Sequence, residues 1–444
     1  MIVILGGGPA GRLAAMRLAS AGREVKLIEK GGIGGQCLHY GCMPVCALND
    51  VARLIHTARV LNTLGLTDSV PRVNFPVVLR EMQKVQSTIA SVLDAETKGA
   101  GVEILYGNEG GFDGKHVVVG NEKLDGDAVI LATGSCPNIP EIAGITRSGV
   151  FTPHTLRDMT CLPERLAILG GGIVAAEFAW IFSRFGSEVT VLSRSSFLKP
   201  VDENLRKQAA RELSGVHIRE RTEVLAVERQ GGCLHLSLKN AGEPAGLDCD
   251  AVLIAAGLIP RSEGLCGVSR RANGEVIVNE YMQTNLPNVY AAGDVTGPPY
   301  LTPVARLQGI IAADNILGKQ RKMDYSAIPQ SINLGSELAF CSDASTSARP
   351  LVIPGPAGPG TFWSVPASDT GLAKILVEPD GRISGICSAS PGSGLIAGYM
   401  AFLMKRHFSV HEFEDFVEVH PSTDGVYGLA KYASEVLRKR DHSS

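Results

Sequence analysis

An α/β fold is what this chain of 444 residues predicts, and three observations carry that expectation. A short apolar run at the N-terminus leads into a glycine-rich turn, a helical pattern and a second apolar run. The same succession recurs from Leu166. Length and apolar content together leave room for roughly three domains, each with its own core.

The first succession opens at Ile2-Val3-Ile4-Leu5, which reads as a strand of a parallel sheet buried on both faces. It runs into Gly6-Gly7-Gly8-Pro9-Ala10-Gly11, and a helical pattern follows through Leu13, Ala14, Met16, Leu18 and Ala19. Val25 to Ile28 is the next strand, and it ends at Glu29. Strand, glycine turn, helix, strand and acid in this order form a dinucleotide-binding fingerprint. Gly6 permits the turn, Gly8 lets the backbone approach a pyrophosphate, and Gly11 lets the helix pack on the strand. Glu29, about 20 residues on, would accept a bond from a ribose hydroxyl. Lys30 and Gly35 belong to the same candidate site. A glycine-rich turn with no ligand is the alternative.

The second succession runs through a strand at Leu166 to Leu169, the turn Gly170-Gly171-Gly172-Ile173-Val174-Ala175, a helix at Ala176 to Phe185 and a strand at Val189 to Leu192. Here the ribose acid is missing, and Ser193 and Arg194 stand in its place. An adenosine 2′-phosphate wants cationic donors, and arginine offers a rigid fork for phosphate. Gly170 and Gly172 would hold the dinucleotide. Arg194, with Lys199 close behind, favours NADPH over NADH. A solvated basic surface is the alternative. Gly257 completes the glycines assigned to cofactor binding.

Between the two fingerprints lies the most informative segment, Gly34-Gly35-Gln36-Cys37-Leu38-His39-Tyr40-Gly41-Cys42-Met43-Pro44. The spacing suits a loop running into the first turn of a helix. There the unpaired backbone N–H groups and the helix dipole lower a thiol pKa. Such a pair closes a small disulfide and exchanges two electrons with a flavin. A zinc half-site is the competing reading, but it usually wants closer spacing and a second Cys/His pair, and none is found.

Composition narrows the classes. Net charge is −3 with no basic run, which argues against nucleic acid as the main partner. No apolar stretch reaches membrane-spanning length without Gly, Pro or charge. Ten cysteines with no signal-peptide pattern point to a reducing cytoplasm, where Cys37 and Cys42 would be catalytic and not a structural staple.

One nucleotide supplies hydride, a flavin splits it into electrons, and the dithiol passes them to a substrate disulfide. The matching pieces are Gly6 to Gly11, Gly34 to Pro44, Ala132-Thr133-Gly134, Gly170 to Phe178 with Glu177, Ala292-Gly293-Asp294-Val295, Leu301-Thr302-Pro303-Val304, and Gly371-Leu372-Ala373-Lys374 through Asp380-Gly381-Arg382. On these the chain resembles the FAD-dependent pyridine nucleotide–disulfide oxidoreductases, the group of dihydrolipoamide dehydrogenase, glutathione reductase and mercuric reductase.

The resemblance implies two Rossmann-like dinucleotide-binding domains, for FAD and NAD(P), plus a C-terminal α+β dimerisation domain. It places the FAD domain at residues 1–143 and 262–330, the NAD(P) domain at 144–261 and the interface domain at 331–444. It makes Cys37 the interchange thiol and Cys42 the thiol against the flavin. Asp294 would bond the ribityl chain, Thr133 and Gly134 would close the FAD domain, and Leu301 and Thr302 would approach the isoalloxazine. In this family a histidine from the partner subunit completes each site. His420, in Val419-His420-Pro421-Ser422-Thr423-Asp424, matches it as a base near neutral pH. The implied assembly is a homodimer acting on a small disulfide or dithiol.

Three departures from the family pattern carry weight. The glutamate that usually orients the histidine falls at Gly425, and the adjacent Asp424 is the substitute. A lysine usually four residues after the second cysteine is here Cys46, which leaves Glu177 without its usual partner and raises its pKa if it is buried. Cys46 reads either as a third redox thiol or flavin-tuning group, or as an inert filler. The stretch Pro350 to Gly360, rich in Pro and Gly, reads as a long loop.

The leading function is thus NADPH-dependent reduction of a small disulfide. NAD-dependent dihydrolipoamide dehydrogenase is the nearest rival. Mercuric reductase is another, although that type carries a cysteine pair near its C-terminus and Arg438 to Ser444 holds none. A FAD-bearing electron-transfer subunit without disulfide turnover is the reading from a different class.

Overall fold

A computed structural model describes residues 1–343, 351–355, 371–419 and 424–441. They divide into two compact units. The first holds residues 1–47, 74–162 and 253–324; the second holds 48–73, 163–252 and 325–444.

In the first unit, five strands lie in the order Val289–Ala291, Ala128–Leu131, Ile2–Leu5, Val25–Glu29, Glu103–Tyr106. The pairings are parallel, with Ile2 opposite both Val25 and Ala128. All four residues of Ile2–Leu5 are buried, which is why this strand shows no polar alternation. A small antiparallel sheet, Gly110–Phe112, Val117–Val119 and Glu122–Leu124, lies against one face. There Phe112, Val117 and Val119 join Val3, Leu5, Ile28, Val129 and Leu131 in one apolar cluster. The helix Pro9–Ala19 packs on the helix Thr302–Ile316. Gly309 allows the approach, since a Cβ there would stand 2.1 Å from the Ala10 carbonyl oxygen.

The second unit repeats the parallel pattern. Arg165–Leu169 pairs with Glu188–Leu192, which pairs with His217–Arg219. The helix between the first two strands spans Ile173–Phe185 and begins three residues earlier than the sequence pattern placed it. The unit also holds an antiparallel sheet ordered Gln330–Asn333, Glu337–Ser342, Ile383–Ala389, Leu372–Val377, Leu351–Gly355. The helices Ser393–Lys405 and Val426–Asp441 cover its core. Lys374 Nζ bonds Asp202 Oδ2 at 2.6 Å, tying this sheet to the helix Glu203–Glu212. The α+β expectation for the C-terminal segment is met.

One expectation is corrected here. Leu351–Gly355, expected inside a long loop, is a strand paired with Leu372–Val377. It lies at the sheet edge, where a proline such as Pro354 is tolerated because its missing N–H need not face a neighbour. Residues 356–360 lie outside the described part.

Candidate active site

The glycine turn of the first unit is built as its spacing requires. Gly6 has φ +109°, and a Cβ there would lie 2.2 Å from the Ala132 carbonyl oxygen. Gly8 caps the helix Pro9–Ala19, and a Cβ on it would meet nothing nearer than 3.9 Å. The space before the helix N-terminus is therefore clear of side chains, as a pyrophosphate needs. Glu29 is buried at the end of its strand. Its Oε2 accepts from Gly7 N and its Oε1 from Gly31 N, both at 2.7 Å. These bonds fix the carboxylate at the turn and leave lone pairs for a ribose. Lys30 lies in an exposed ion pair with Glu109 at 2.8 Å.

The thiol segment differs in detail from the expected loop. Gly34, with φ +102°, turns the chain into one short helix, Gly35–His39, which carries Cys37. The long helix Cys42–Thr63 then starts at Cys42 itself. Both cysteines are free thiols, and the Thr302 hydroxyl stands 3.5 Å from Cys42 Sγ. The pair is polarised. Cys42 is lowered from 9.0 to about 6, first by the bond from the Cys37 S–H, then by Thr302, by its own backbone N–H and by the charge of Arg306. Cys37 is raised for the complementary reason, since its proton is held by the Cys42 sulfur and its side chain is partly buried. The arrangement is one thiol and one thiolate, with the anion at the head of a helix. Leu301 caps the helix that begins at Thr302. Cys46 is exposed, one helical turn beyond Cys42.

Asp294 follows Gly293 and accepts a bond from Ser135 Oγ at 2.6 Å; burial raises its carboxyl pKa. Ser135 Oγ also lies 3.3 Å from Gln36 Oε1, and His154 Nε2 lies 3.3 Å from the same oxygen. The His154 ring stacks on Tyr40 at 4.3 Å. A chain of polar contacts thus links Asp294 to the short helix that carries Cys37. Sequence reasoning missed Gln36, Ser135 and His154, and only the adjacency of Gln36 to Cys37 and Ser135 to Gly134 could have signalled the first two. Beside this helix opens a cavity of about 320 Å³ lined by His39, Tyr40, Gln86, His154 and Arg157 among others. Thr133 donates to the Arg261 carbonyl oxygen, and Arg261 N donates to the Gly134 carbonyl oxygen at 2.9 Å. Gly257 has φ +97°, and its carbonyl oxygen accepts from Asn138 N.

In the second unit Gly170 has φ +144°, and Gly172 caps Ile173–Phe185 with open space at its Cβ position. Ser193 is buried, while Arg194 and Lys199 are exposed. Neither cation is in an ion pair among the described residues. Glu177 is 7% exposed, and its Oε1 accepts from Asn333 N at 2.9 Å and Asn333 Nδ2 at 3.1 Å. With Cys46 at the position where the family pattern has a lysine, an amide supplies donors to Glu177. Asp424 Oδ1 accepts from Val426 N at 2.8 Å, capping the last helix, and its Oδ2 accepts from the Tyr399 hydroxyl. His420 lies outside the described residues. Among the described residues no three His, Cys, Asp or Glu side chains are grouped to hold a metal ion, and no helix is long and apolar enough to cross a membrane.

Comparison with known proteins agrees with this geometry. The family model described as pyridine nucleotide-disulphide oxidoreductase matches residues 1–309. A dihydrolipoyl dehydrogenase of Bacillus subtilis (strain 168) is 28% identical over 440 residues, covering 95% of each chain. A mercuric reductase of Lysinibacillus sphaericus is 26% identical over 437 residues, covering 93% of this chain and 79% of that protein. Among solved structures, the Cu(II) complex of the HOCl-induced flavoprotein disulfide reductase RclA from Escherichia coli superposes with a TM-score of 0.83 at 25% identity, covering 99% of both chains.

Proposed function

The chain belongs to the pyridine nucleotide–disulphide oxidoreductase family, a family of flavin-dependent enzymes, and we propose that it carries electrons from NADPH through FAD and the Cys37–Cys42 pair to a small disulfide. The polarised pair supports this reading above all. Cys42 is held as a thiolate by Cys37, Thr302 and Arg306, and Cys37 keeps the proton.

The residues of the first unit fit FAD. Gly6 and Gly11 let strand, turn and helix close on one another, Gly8 leaves its pyrophosphate a side-chain-free approach to a helix N-terminus, Glu29 offers oxygens to its ribose, and the buried Asp294 offers a carboxyl to its polyol. Bound there, FAD supplies the step from two-electron hydride chemistry to thiol chemistry. In the second unit Gly170 and Gly172 receive the nicotinamide dinucleotide, and Arg194 and Lys199 receive its 2′-phosphate. That basic pair, with no acid after Leu192, favours NADPH over the NAD of a dihydrolipoyl dehydrogenase. The homodimer reading draws support from the second unit, where Leu395, Phe402 and Tyr432 on its last helices and Val417 and Val419 beside them are exposed. His420 of the partner subunit is then the base that frees Cys37 for attack.

The test is a steady-state screen of the FAD-loaded enzyme. NADPH and NADH are set against lipoamide, glutathione disulfide and other small disulfides, with anaerobic spectra alongside. Two-electron reduction is expected to give a long-wavelength band that Cys42→Ser abolishes. Flavin reduced by NADPH with no disulfide turned over would instead place the chain among electron-transfer subunits. Equal use of NADH would reject the nucleotide assignment.

A further inference from the structure

Arg306 stands out among the groups around the thiols. It lies on the helix Thr302–Ile316, four residues after the threonine whose hydroxyl is 3.5 Å from Cys42 Sγ. Residues four apart share a helix face, with Cβ atoms about 5–6 Å apart. The guanidinium therefore projects from the same face that meets the dithiol. Its side chain is exposed, and among the described residues no carboxylate is within ion-pair distance of it. Its charge acts on both Cys37 and Cys42. Several other cations on this unit are committed: Arg12 to Glu96 at 2.5 Å, and Arg17, Lys319 and Arg321 to Asp314 at 2.9, 2.8 and 3.1 Å.

We propose that Arg306 is a specificity residue that draws carboxylate-bearing disulfides to Cys37 and holds them there, so that the substrate class is anionic. This rests on the disulfide-reductase reading given above. A neutral substrate such as an amide of lipoic acid gains nothing from the guanidinium. A disulfide with a carboxylate a few bonds from sulfur gains a charge-assisted contact while its sulfur meets the thiol. In the exchange, Cys37 sulfur bonds to one substrate sulfur and the substrate S–S bond breaks. The departing half leaves as a thiolate, which the same cation stabilises. Cys42 sulfur then bonds to Cys37 sulfur and releases the second half. Two electrons pass from the dithiol to the substrate, and the two product thiols take up the Cys37 proton and one from solvent.

Two measurements on the full FAD-loaded protein decide the matter. The first is kcat/KM with NADPH for three disulfides of different charge: dianionic 5,5′-dithiobis(2-nitrobenzoate), neutral bis(2-hydroxyethyl) disulfide and dicationic cystamine. Arg306→Gln is expected to lower the value for the dianion about fivefold, the upper range for one exposed ion pair. The change should fall mainly on KM, and the dianion should lose clearly more than the neutral substrate, whose own loss reports the weaker support of the Cys42 thiolate. Arg306→Lys should restore the dianion, and Arg306→Glu should turn the preference toward cystamine. Raising salt should shrink the dianion's advantage in the native enzyme only. An unchanged order of substrates in Arg306→Gln, or an equal loss for all three, would overturn the proposal.

The second measurement does not depend on turnover. The reduced thiols are alkylated with iodoacetate and iodoacetamide, and the ratio of the two rates reports a cation beside the sulfur. Arg306→Gln should lower that ratio and Arg306→Lys should keep it. A ratio indifferent to both variants would defeat the proposal even if disulfides are reduced. A ratio that responds while no disulfide is reduced would uphold the anion site and defeat the reductase reading.

Discussion

Asn333 gives Glu177 two hydrogen bonds, one from its backbone N–H at 2.9 Å and one from its side-chain amide at 3.1 Å, both to Oε1. The two residues are 156 positions apart, and the bonds join the helix Ile173–Phe185 to the strand Gln330–Asn333. The family pattern has a lysine at position 46, and this chain has Cys46. Here amide donors satisfy a carboxylate that is 7% exposed. A buried acceptor left short of donors is costly, so this contact is a test of how the unit is held together.

Asn333→Ala is expected to destabilise the protein by about 1–3 kcal/mol, the usual loss when a buried charged group forfeits a donor. The backbone bond survives, which keeps the loss toward the lower end. Urea unfolding of the full chain measures it. Asn333→Asp should be worse, because it sets a second carboxylate against Glu177 and removes the amide protons. A variant as stable as the parent would mean the amide is replaceable by water.

The thiolate should be visible in reactivity. Alkylation of the reduced protein by iodoacetamide is expected to rise through an inflection near pH 6, where Cys42 loses its proton. The second thiol should react only in alkaline solution, since Cys37 is raised. Thr302→Val removes a donor to the anion, so the thiolate is less stabilised and the inflection moves to higher pH. Cys37→Ser moves it less, because a hydroxyl still donates. A single inflection at the ordinary value of 9.0 would show that the pair is not polarised.

Nucleotide choice rests on two exposed cations. Charge-assisted bonds contribute on the order of 1.5–3 kcal/mol each, and solvent exposure lowers that. Arg194→Ala is expected to weaken NADPH binding about tenfold and leave NADH binding unchanged. Lys199→Ala should act in the same direction with a smaller effect, since an ammonium lacks the planar fork. Titration of each nucleotide by fluorescence quenching checks both.

Both glycine fingerprints could be read from sequence because glycine spacing reports backbone requirements directly: Gly6 and Gly170 stand at φ +109° and +144°. The thiol pair was legible from its spacing, which also suited a helix beginning at the pair. The contacts that tune the site were not. The links among Gln36, Ser135, His154 and Asp294 join residues 99 to 159 positions apart, and nothing local in a chain encodes such pairs. Asn333 was invisible for the same reason. The strand Leu351–Gly355 was misread because proline and glycine signal a turn in general, whereas at a sheet edge they are compatible with pairing. Arg306 went unremarked because a single arginine on a helix is ordinary until its threonine neighbour is seen to touch a thiol.

The last prediction concerns His154 and acid stability. Burial, and then the charge of Arg261, lowers its pKa from 6.5 to about 4. The unfolded chain therefore binds a proton at a pH where the folded ring does not. Above pH 6.5 the ring is neutral in both states and its folded environment is fully favourable. As pH falls from 6.5 toward 4, protonation increasingly favours the unfolded chain, and stability declines. A tenfold difference in proton affinity between the two states corresponds to about 1.36 kcal/mol, and because the ring is only half-buried, water screens away part of the effect. His154→Gln keeps a hydrogen-bonding side chain near Gln36 but cannot take up a proton. Its urea midpoint should be slightly lower than the parent's at pH 7.5, because the stack on Tyr40 at 4.3 Å is lost. Between pH 6.5 and 4 the gap should narrow or reverse, since only the parent is penalised there. Parallel pH profiles for the two proteins would show that the imidazole is protonated in place without strain, and that its polar link to Gln36 adapts to the charge.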